Sequence, residues 1–168
     1  MDIKNRTAFI VGGTSGIGLG LARRFAAAGN TAIVGARTTE TVTDLEAVVI
    51  DVTDPNSVEH ARDEVLDKHP DLDSIVTMSG VMLIEDLRDP EHMTAAETTI
   101  ATNVLGTIRV IDAFTPHLLQ RGGGNIITVT SGIGFLPFPL MPRMVHQKPP
   151  CTLTPRHCAH SSPGPVSR

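Results

Sequence analysis

A glycine-rich segment between an apolar run and a helical pattern constrains the fold of this chain most strongly. The apolar run, Thr7–Val11, is short and largely β-branched or aromatic, which predicts a buried strand. A helical pattern extends from Leu19 to Ala28 and stops at Gly29. Between them lies Gly12-Gly13-Thr14-Ser15-Gly16-Ile17-Gly18. A strand, a glycine turn and a helix in this order bring backbone N–H groups close to a pyrophosphate.

The rest of the first 130 residues alternates between short apolar runs and helical patterns. Further strands are predicted at 31–34, 47–50, 74–77 and 125–130, and helices at 55–68 and 94–119. Asp54 is the predicted N-cap of the helix at 55–68, with Pro55 at its first position. Only a short helix, Thr39 to Leu45, fits between the second and third strands, and we expect a turn or two, or a poorly formed helix. The pattern predicts an α/β fold with a single doubly wound parallel sheet of order 3-2-1-4-5.

Length, composition and charge exclude several classes of protein. A chain of 168 residues with 40% hydrophobic and 19% charged residues is typical of one globular domain, or most of one. A net charge of −4 gives no reason to expect nucleic acid or an anionic membrane as a partner. The chain has no run of about 18 apolar residues and no N-terminal secretory signal, so we expect a cytoplasmic protein.

The sequence changes character after Ser131. Prolines recur from Pro137 to Pro165 and interrupt every helix or central strand that could form there. We therefore divide the chain into a dinucleotide-binding domain, residues 1–140, and a Pro-rich disordered tail, residues 141–168. The His and Cys residues of the tail are His146, Cys151, His157, Cys158 and His160. No pair of them has zinc-finger spacing, so we expect no metal site. Both cysteines fall in the last eighteen residues, so we expect no disulfide framework that holds the fold together.

Four motifs in the first 140 residues occur in the order typical of one enzyme family. They are Val11-Gly12-Gly13-Thr14-Ser15-Gly16-Ile17-Gly18, Thr77-Met78-Ser79-Gly80, Asn103-Val104-Leu105-Gly106, and Gly124-Asn125-Ile126-Ile127-Thr128-Val129-Thr130-Ser131. The chain resembles the short-chain dehydrogenases/reductases, Rossmann oxidoreductases that use NAD or NADP. Val11 replaces the usual Thr of the first motif, and only Gly80 matches outright in the second. The resemblance implies oxidation or reduction of a carbonyl/alcohol pair in a small-molecule substrate.

The resemblance also implies a set of cofactor-binding residues. They are Gly12, Thr14, Ser15, Gly16, Ile17, Gly18, Arg37, Asp51, Val52, Ser79 and Gly80. In such a turn Gly12 makes the tight bend, Gly16 lets the backbone approach phosphate, and Gly18 allows close packing of helix on strand. The family places an Asp that contacts the adenine ring where Asp51 ends the third strand. The alternative is an ordinary Asp that precedes a helix.

The cofactor preference depends on the end of the second strand. An acidic residue there would bind the ribose 2′-hydroxyl of NAD, but this chain has Gly35-Ala36-Arg37 and no acid until Glu40. An Arg at this position can pair with a 2′-phosphate, so NADP is favoured. The alternative is a solvent-exposed Arg37 without a cofactor role, and in that case NAD stays possible.

Two residues take catalytic roles by the same resemblance. Asn103 would carry the proton-relay water, and Ser131 would hydrogen-bond the substrate carbonyl oxygen as charge develops there. The residues by themselves also allow an interior helical Asn103 that bonds to the backbone, and a Ser131 that serves a turn.

The acid/base of the family is missing. The chain contains no Tyr, and Met144 and Lys148 stand where the family spacing places the catalytic Tyr and Lys. A thioether cannot exchange a proton, so we expect impaired catalysis. Permitted codons for 143–158, read out of frame, give a family-like Tyr-x-x-x-Lys segment. We interpret the tail as out of frame after a one-nucleotide slip near residues 140–143.

This interpretation leaves the fold incomplete at its C-terminal side. It predicts an exposed edge on the fifth strand and uncovered apolar surface on the helix at 94–119. Dimers of the family pack through that helix, so the same change argues against a native homo-oligomer. The functional alternatives are a non-catalytic dinucleotide-binding module and a non-functional truncated product.

Overall fold

The computed structural model describes residues 4–83, 86 and 88–131 of the chain. Within them the strands are β1 (Thr7–Val11), β2 (Thr31–Ala36), β3 (Glu46–Val49), β4 (Ser74–Thr77) and β5 (Asn125–Thr128). The α-helices are α1 (Gly16–Ala27), α2 (Pro55–Lys68), α3 (His92–Ile100) and α4 (Gly106–Gln120), and a π-helical segment (Ala101–Leu105) joins the last two. The tail, with Met144, Lys148 and the His and Cys residues considered for metal, lies outside the described residues.

The five strands form one parallel sheet in the order β3-β2-β1-β4-β5. The predicted fold class and strand order are confirmed. Val11, the last residue of β1, pairs with Gly35 of β2 on one side and Thr77 of β4 on the other. The carboxyl ends of these three strands therefore meet at one edge of the sheet, where open α/β folds bind their ligands.

The central strand β1 is buried on both faces, which explains its uninterrupted apolar sequence. Phe9 and Val11 face the core shared with α2 and α4, while Ala8 and Ile10 face the core beneath α1. The ring of Phe9 packs against Phe114 of α4 with centroids 5.5 Å apart. Packing against helices on both faces thus fixes the position of β1, and the position of β1 fixes that of the glycine turn that follows it.

Helix α2 has the bounds that the sequence predicted. The Asp54 carboxylate accepts a hydrogen bond of 2.9 Å from the backbone N–H of Asn56, and Pro55 occupies the first helical position. This cap satisfies one of the otherwise unpaired N–H groups at the helix start. The last turn of α2 contains Lys68, whose positive charge interacts favourably with the negative end of the helix dipole.

The sequence predicted a turn or two, or a poorly formed helix, at Thr39 to Leu45, and the first of these is confirmed. The structure has a single turn there, closed by a 3.0 Å hydrogen bond from the N–H of Val42 to the Thr39 oxygen. Thr39, Thr41, Val42 and Thr43 are β-branched and lose side-chain freedom in a helix. A connection this short therefore passes from β2 to β3 without helical structure.

The predicted single helix at 94–119 is interrupted. It begins at His92, passes through a π-helical turn at Ala101–Leu105 and ends at Gln120. Gly106 lies against Val52, and a Cβ atom added to it would come within 2.6 Å of the Val52 side chain. The π-helical turn thus ends directly before Gly106, the residue at which α4 packs closely against Val52 in the segment between β3 and α2.

Smaller differences concern the ends of elements. α1 begins at Gly16 rather than Leu19, β2 continues to Ala36, and β5 ends at Thr128 rather than Thr130. Within the described residues β5 forms the edge of the sheet, and its Ile127 is 48% exposed. No helix among the described residues has the length and apolar character needed to span a bilayer.

Candidate functional site

Two adjoining clefts open at the carboxyl ends of the strands. The larger has a volume of about 510 Å³ and the smaller about 110 Å³. The larger is lined by Gly12, Thr14, Ser15, Gly16, Ile17, Gly18, Ala36, Arg37, Thr38, Met78, Ser79, Gly80 and Val129. The smaller is lined by Val11, Gly12, Gly35, Ala36, Arg37, Ile50, Asp51, Val52, Thr53, Ser79, Gly80, Val81 and Thr102. All eleven residues predicted to bind the cofactor line one or both clefts.

The N-terminus of α1 forms one wall of the larger cleft. The N–H of Leu19 bonds to the Ser15 oxygen at 3.1 Å, so the N–H groups before it have no carbonyl partner within the helix. That turn carries no acidic residue, and the N-cap Ser15 makes no side-chain capping bond. The helix therefore presents the N–H groups of its first turn and the positive end of its dipole at the cleft, an arrangement that favours an anion.

Close contacts between glycines bring the helix against the turn that follows β1. Gly12 has φ +90°, and its N–H donates to the Gly35 oxygen at 2.7 Å. A Cβ atom on Gly12 would lie 2.6 Å from the backbone nitrogen of Ser79. A Cβ atom on Gly18 would overlap the backbone oxygen of Gly12. The roles predicted for Gly12 in the bend and Gly18 in helix packing agree with this geometry.

Gly16 differs from these two glycines because its side-chain position is open. It has φ +50°, and no heavy atom lies within 4 Å of an added Cβ. Ile17 beside it is 82% exposed, an unusual state for a large apolar side chain. The wall here is bare backbone facing open cleft, which leaves room for a ligand to reach the N–H groups.

The segment after β4 closes the clefts from the other side. The N–H of Met78 donates to the Val11 oxygen at 2.8 Å, which ties the segment to the end of β1. Ser79 and Gly80 follow and line both clefts. The motif Thr77-Met78-Ser79-Gly80, in which only Gly80 matches the family, therefore still lies beside the end of β1, as the strand order predicts.

Asp51 is held by the turn that precedes α2. Its Oδ1 accepts hydrogen bonds from the Thr53 hydroxyl at 2.6 Å and the Thr53 N–H at 2.8 Å, and its own N–H donates to the Ser57 hydroxyl at 2.9 Å. The bond from the Thr53 hydroxyl, the bond from its N–H and the charge of Arg37 lower the pKa of Asp51, against the effect of partial burial. The carboxylate is therefore ionised at neutral pH.

Asn103 lies in the π-helical segment and is 3% exposed. Its amide accepts from the Val81 N–H at 2.8 Å and donates to the Val81 oxygen at 2.9 Å. The side chain thus bonds to backbone, as in the alternative interpretation, but to the segment after β4 rather than to its own helix. Asn103 holds Val81, which lines the smaller cleft, and does not itself line either cleft.

Ser131 lies two residues beyond the last backbone bond of the sheet at this end, from the Val129 N–H to the Thr77 oxygen at 3.0 Å. It is half-buried and is not among the described residues that line the two clefts. The structure therefore groups the predicted cofactor residues closely, while Asn103 and Ser131 stand outside that group.

Several lining residues were not identified from the sequence. They are Thr38, Thr53, Met78, Val81, Thr102 and Val129. Most of them follow the carboxyl end of a strand, and in a parallel sheet these ends share one edge. Strand order alone would have found Thr38, Met78 and Val129. Thr102, in contrast, enters through the π-helical segment, which no sequence pattern indicated.

The fold and the clefts define an α/β protein of the Rossmann type with a ligand site at the carboxyl edge of its sheet. The family model described as short chain dehydrogenase matches residues 6–143. The chain belongs to this family.

Among curated relatives, a fatty acyl-CoA reductase of Acinetobacter baylyi is 29% identical over 147 residues, 80% of this chain and 50% of the relative. An uncharacterized oxidoreductase of Mycobacterium tuberculosis is 35% identical over 134 residues, 76% of this chain and 52% of the relative. Sulfoacetaldehyde reductase 2 of Chromohalobacter salexigens is 31% identical over 141 residues, 77% of this chain and 56% of the relative. The chain spans about half the length of these relatives.

Solved structures share the fold. The ligand-free aldohexose dehydrogenase of Thermoplasma acidophilum matches with a TM-score of 0.77 at 18% identity, over 83% of this chain and 55% of that one. An actinorhodin polyketide ketoreductase solved with NADPH matches with a TM-score of 0.75 at 23% identity, over 86% of this chain and 60% of that one. At these identities the likeness concerns the fold.

Proposed function

We propose that the larger cleft binds a nicotinamide dinucleotide with its pyrophosphate against the first turn of α1. One observation carries the proposal: the cleft wall is a helix N-terminus whose first N–H groups have no partner within the helix, with no acidic residue in its first turn and an open position at Gly16. A diphosphate needs these donors and this close approach to backbone. The NADPH-bound ketoreductase with the same fold supports the choice of ligand.

We infer a preference for NADP over NAD from the end of β2. Arg37 lines both clefts, and Ala36 and Thr38 beside it supply no carboxylate for a ribose 2′-hydroxyl. A guanidinium forms charge-assisted hydrogen bonds with a phosphate, whereas it gains little from a neutral hydroxyl. Asp51 and Val52 would then border the adenosine part, because the smaller cleft adjoins the larger one at Arg37.

The reaction we propose for the whole family fold is the interconversion of a carbonyl and an alcohol in a small molecule, by exchange of a hydride with the cofactor and of a proton with the protein. When bound, the nicotinamide supplies or accepts the hydride. Two relatives are named as reductases, which supports reduction as the direction. Ser131 would donate a hydrogen bond to the substrate oxygen, and Asn103 would hold the Val81 backbone and carry the relay water.

We propose that this chain does not catalyse the reaction at a measurable rate. Its 168 residues include no Tyr, and the family resemblance assigns the proton transfer to one. Met144 stands at the matching position, and a thioether neither donates nor accepts a proton. A non-catalytic dinucleotide-binding module is the second candidate, and the observation that favours it is that the described residues lining the clefts all lie between residues 11 and 129.

Thermal unfolding of the full chain with cofactor tests the proposed binding, and an assay of NADPH oxidation tests the proposed loss of catalysis. Saturation with NADPH at about 100 times its Kd should raise the free energy of unfolding by about 2.7 kcal/mol. The same protein should show no NADPH oxidation with small ketones or aldehydes. A thermogram without shift in NADPH or NADH would rule out the binding proposal, and measurable turnover would rule out the impairment. A featureless melt with dye binding from the start would indicate a non-functional product.

A further inference from the structure

Arg37 and Asp51 follow the paired ends of neighbouring strands. Ala36 of β2 pairs with Val49 of β3, and the Ile50 N–H donates to the Ala36 oxygen at 2.9 Å. Arg37 comes directly after Ala36, and Asp51 directly after Ile50. Both side chains line the smaller cleft. Parallel pairing therefore places one cation and one anion side by side at the point where the two clefts meet.

These two residues are the only charged side chains among the described residues that line the smaller cleft. Asp51 cannot turn away easily, because Thr53 donates two hydrogen bonds to its Oδ1. The Arg37 charge also acts on Asp51, since it is one of the causes that lower the pKa of the carboxyl. A ligand group that approaches Arg37 therefore also meets the negative field of Asp51.

We propose that Asp51 is a specificity-determining residue that weakens the preference of the site for a 2′-phosphorylated dinucleotide. The Asp51 carboxylate repels the 2′-phosphate of NADPH and offsets part of the attraction of Arg37, whereas the neutral 2′-hydroxyl of NADH feels neither effect strongly. The site thus admits both cofactors with a smaller difference in Kd than Arg37 alone would give. This inference rests on the proposed dinucleotide binding.

The variant Asp51→Asn isolates the charge. Its side-chain oxygen can still accept both bonds from Thr53, so the turn before α2 is preserved. We expect the ratio of the Kd for NADH to the Kd for NADPH to rise about threefold or more. Loss of a contact with adenine, which both cofactors carry, cancels in this ratio. The variant Asp51→Ser provides a second neutral residue suited to a turn and should shift the ratio in the same direction.

Asp67→Asn is the matched control, because it changes the net charge equally on the exposed side of α2, near the opposite end of that helix from the cleft. It should leave the ratio unchanged. Raising the salt concentration should shrink the difference between Asp51→Asn and the natural chain, as screening predicts.

An unchanged ratio in both Asp51 variants would overturn the inference while leaving the proposed function intact. An equal shift in Asp67→Asn would overturn it too, since the effect would then follow net charge rather than position. If the natural chain binds neither NADPH nor NADH, the proposed function fails and the inference fails with it. The titration of the natural chain therefore separates the two failures.

Discussion

Gly18→Ala is expected to lower the free energy of unfolding by about 3 kcal/mol, the upper range for forcing extra volume into a packed site. The added Cβ would overlap the backbone oxygen of Gly12. Neither partner can yield easily, because Gly12 is itself bonded to Gly35 and packed on the backbone of Ser79. Helix α1 must therefore move away from the β1 turn, and cofactor binding should be lost with it. Equilibrium urea unfolding measures the first effect and calorimetric titration with NADPH the second.

Gly20→Ala is the matched control in the same helix. Gly20 lies in α1, and nothing is within 4 Å of an added Cβ. Alanine there should stabilise the protein by about 0.5–1 kcal/mol, because it restricts the unfolded chain and has a higher helix propensity. If Gly18→Ala and Gly20→Ala changed stability equally, the close contact between the helix and the turn would be contradicted.

Gly16→Ala is expected to lower the affinity for NADPH at least about tenfold while the protein stays folded. The methyl group meets no protein atom within 4 Å but enters the cleft at the first helical residue, where the pyrophosphate is proposed to approach the backbone. Losing one or two charge-assisted hydrogen bonds accounts for a loss of this size. Because Gly16 has φ +50°, the substitution should also cost about 1–2 kcal/mol of stability.

Gly29→Ala separates these two consequences. Gly29 has φ +85° and an open side-chain position, like Gly16, but it follows the C-terminal end of α1 and lines neither cleft. It should show a similar loss of stability with an unchanged Kd for NADPH. Equal losses of affinity in the two variants would show that backbone strain, and not contact with the ligand, is responsible.

Strand order and cleft position could be predicted because they depend on patterns that tertiary contacts reinforce. Continuous apolar runs such as Ile75–Val76 indicate strands covered on both faces, and parallel strands require crossovers of one hand. The glycine turn then identifies which strand is β1, and the strand order places Arg37, Asp51 and Ser79 near it. The clefts therefore contain the predicted cofactor residues although their separations along the chain are large.

The remaining features depend on contacts that no local pattern reveals. The π-helical turn at Ala101–Leu105 directly precedes Gly106, which approaches Val52 closely. The two hydrogen bonds between the Asn103 side chain and the Val81 backbone join residues 22 positions apart. Between β2 and β3 the sequence left open a turn or two or a poorly formed helix, because helix and turn propensities compete there, and the structure has a single turn among β-branched residues. Thr53 gave no signal as a partner of Asp51, because a Thr two residues after an Asp is common in turns.

Backbone hydrogen exchange of the full chain, with and without saturating NADPH, tests the central claim most directly. If the pyrophosphate lies at the first turn of α1, amides in 12–18 should become protected, together with those in 36–38 and 79–81, while α2 stays unchanged. This pattern would place the cofactor in the larger cleft. Unchanged exchange in 12–18 at saturating NADPH, or protection confined to other parts of the chain, would contradict the account.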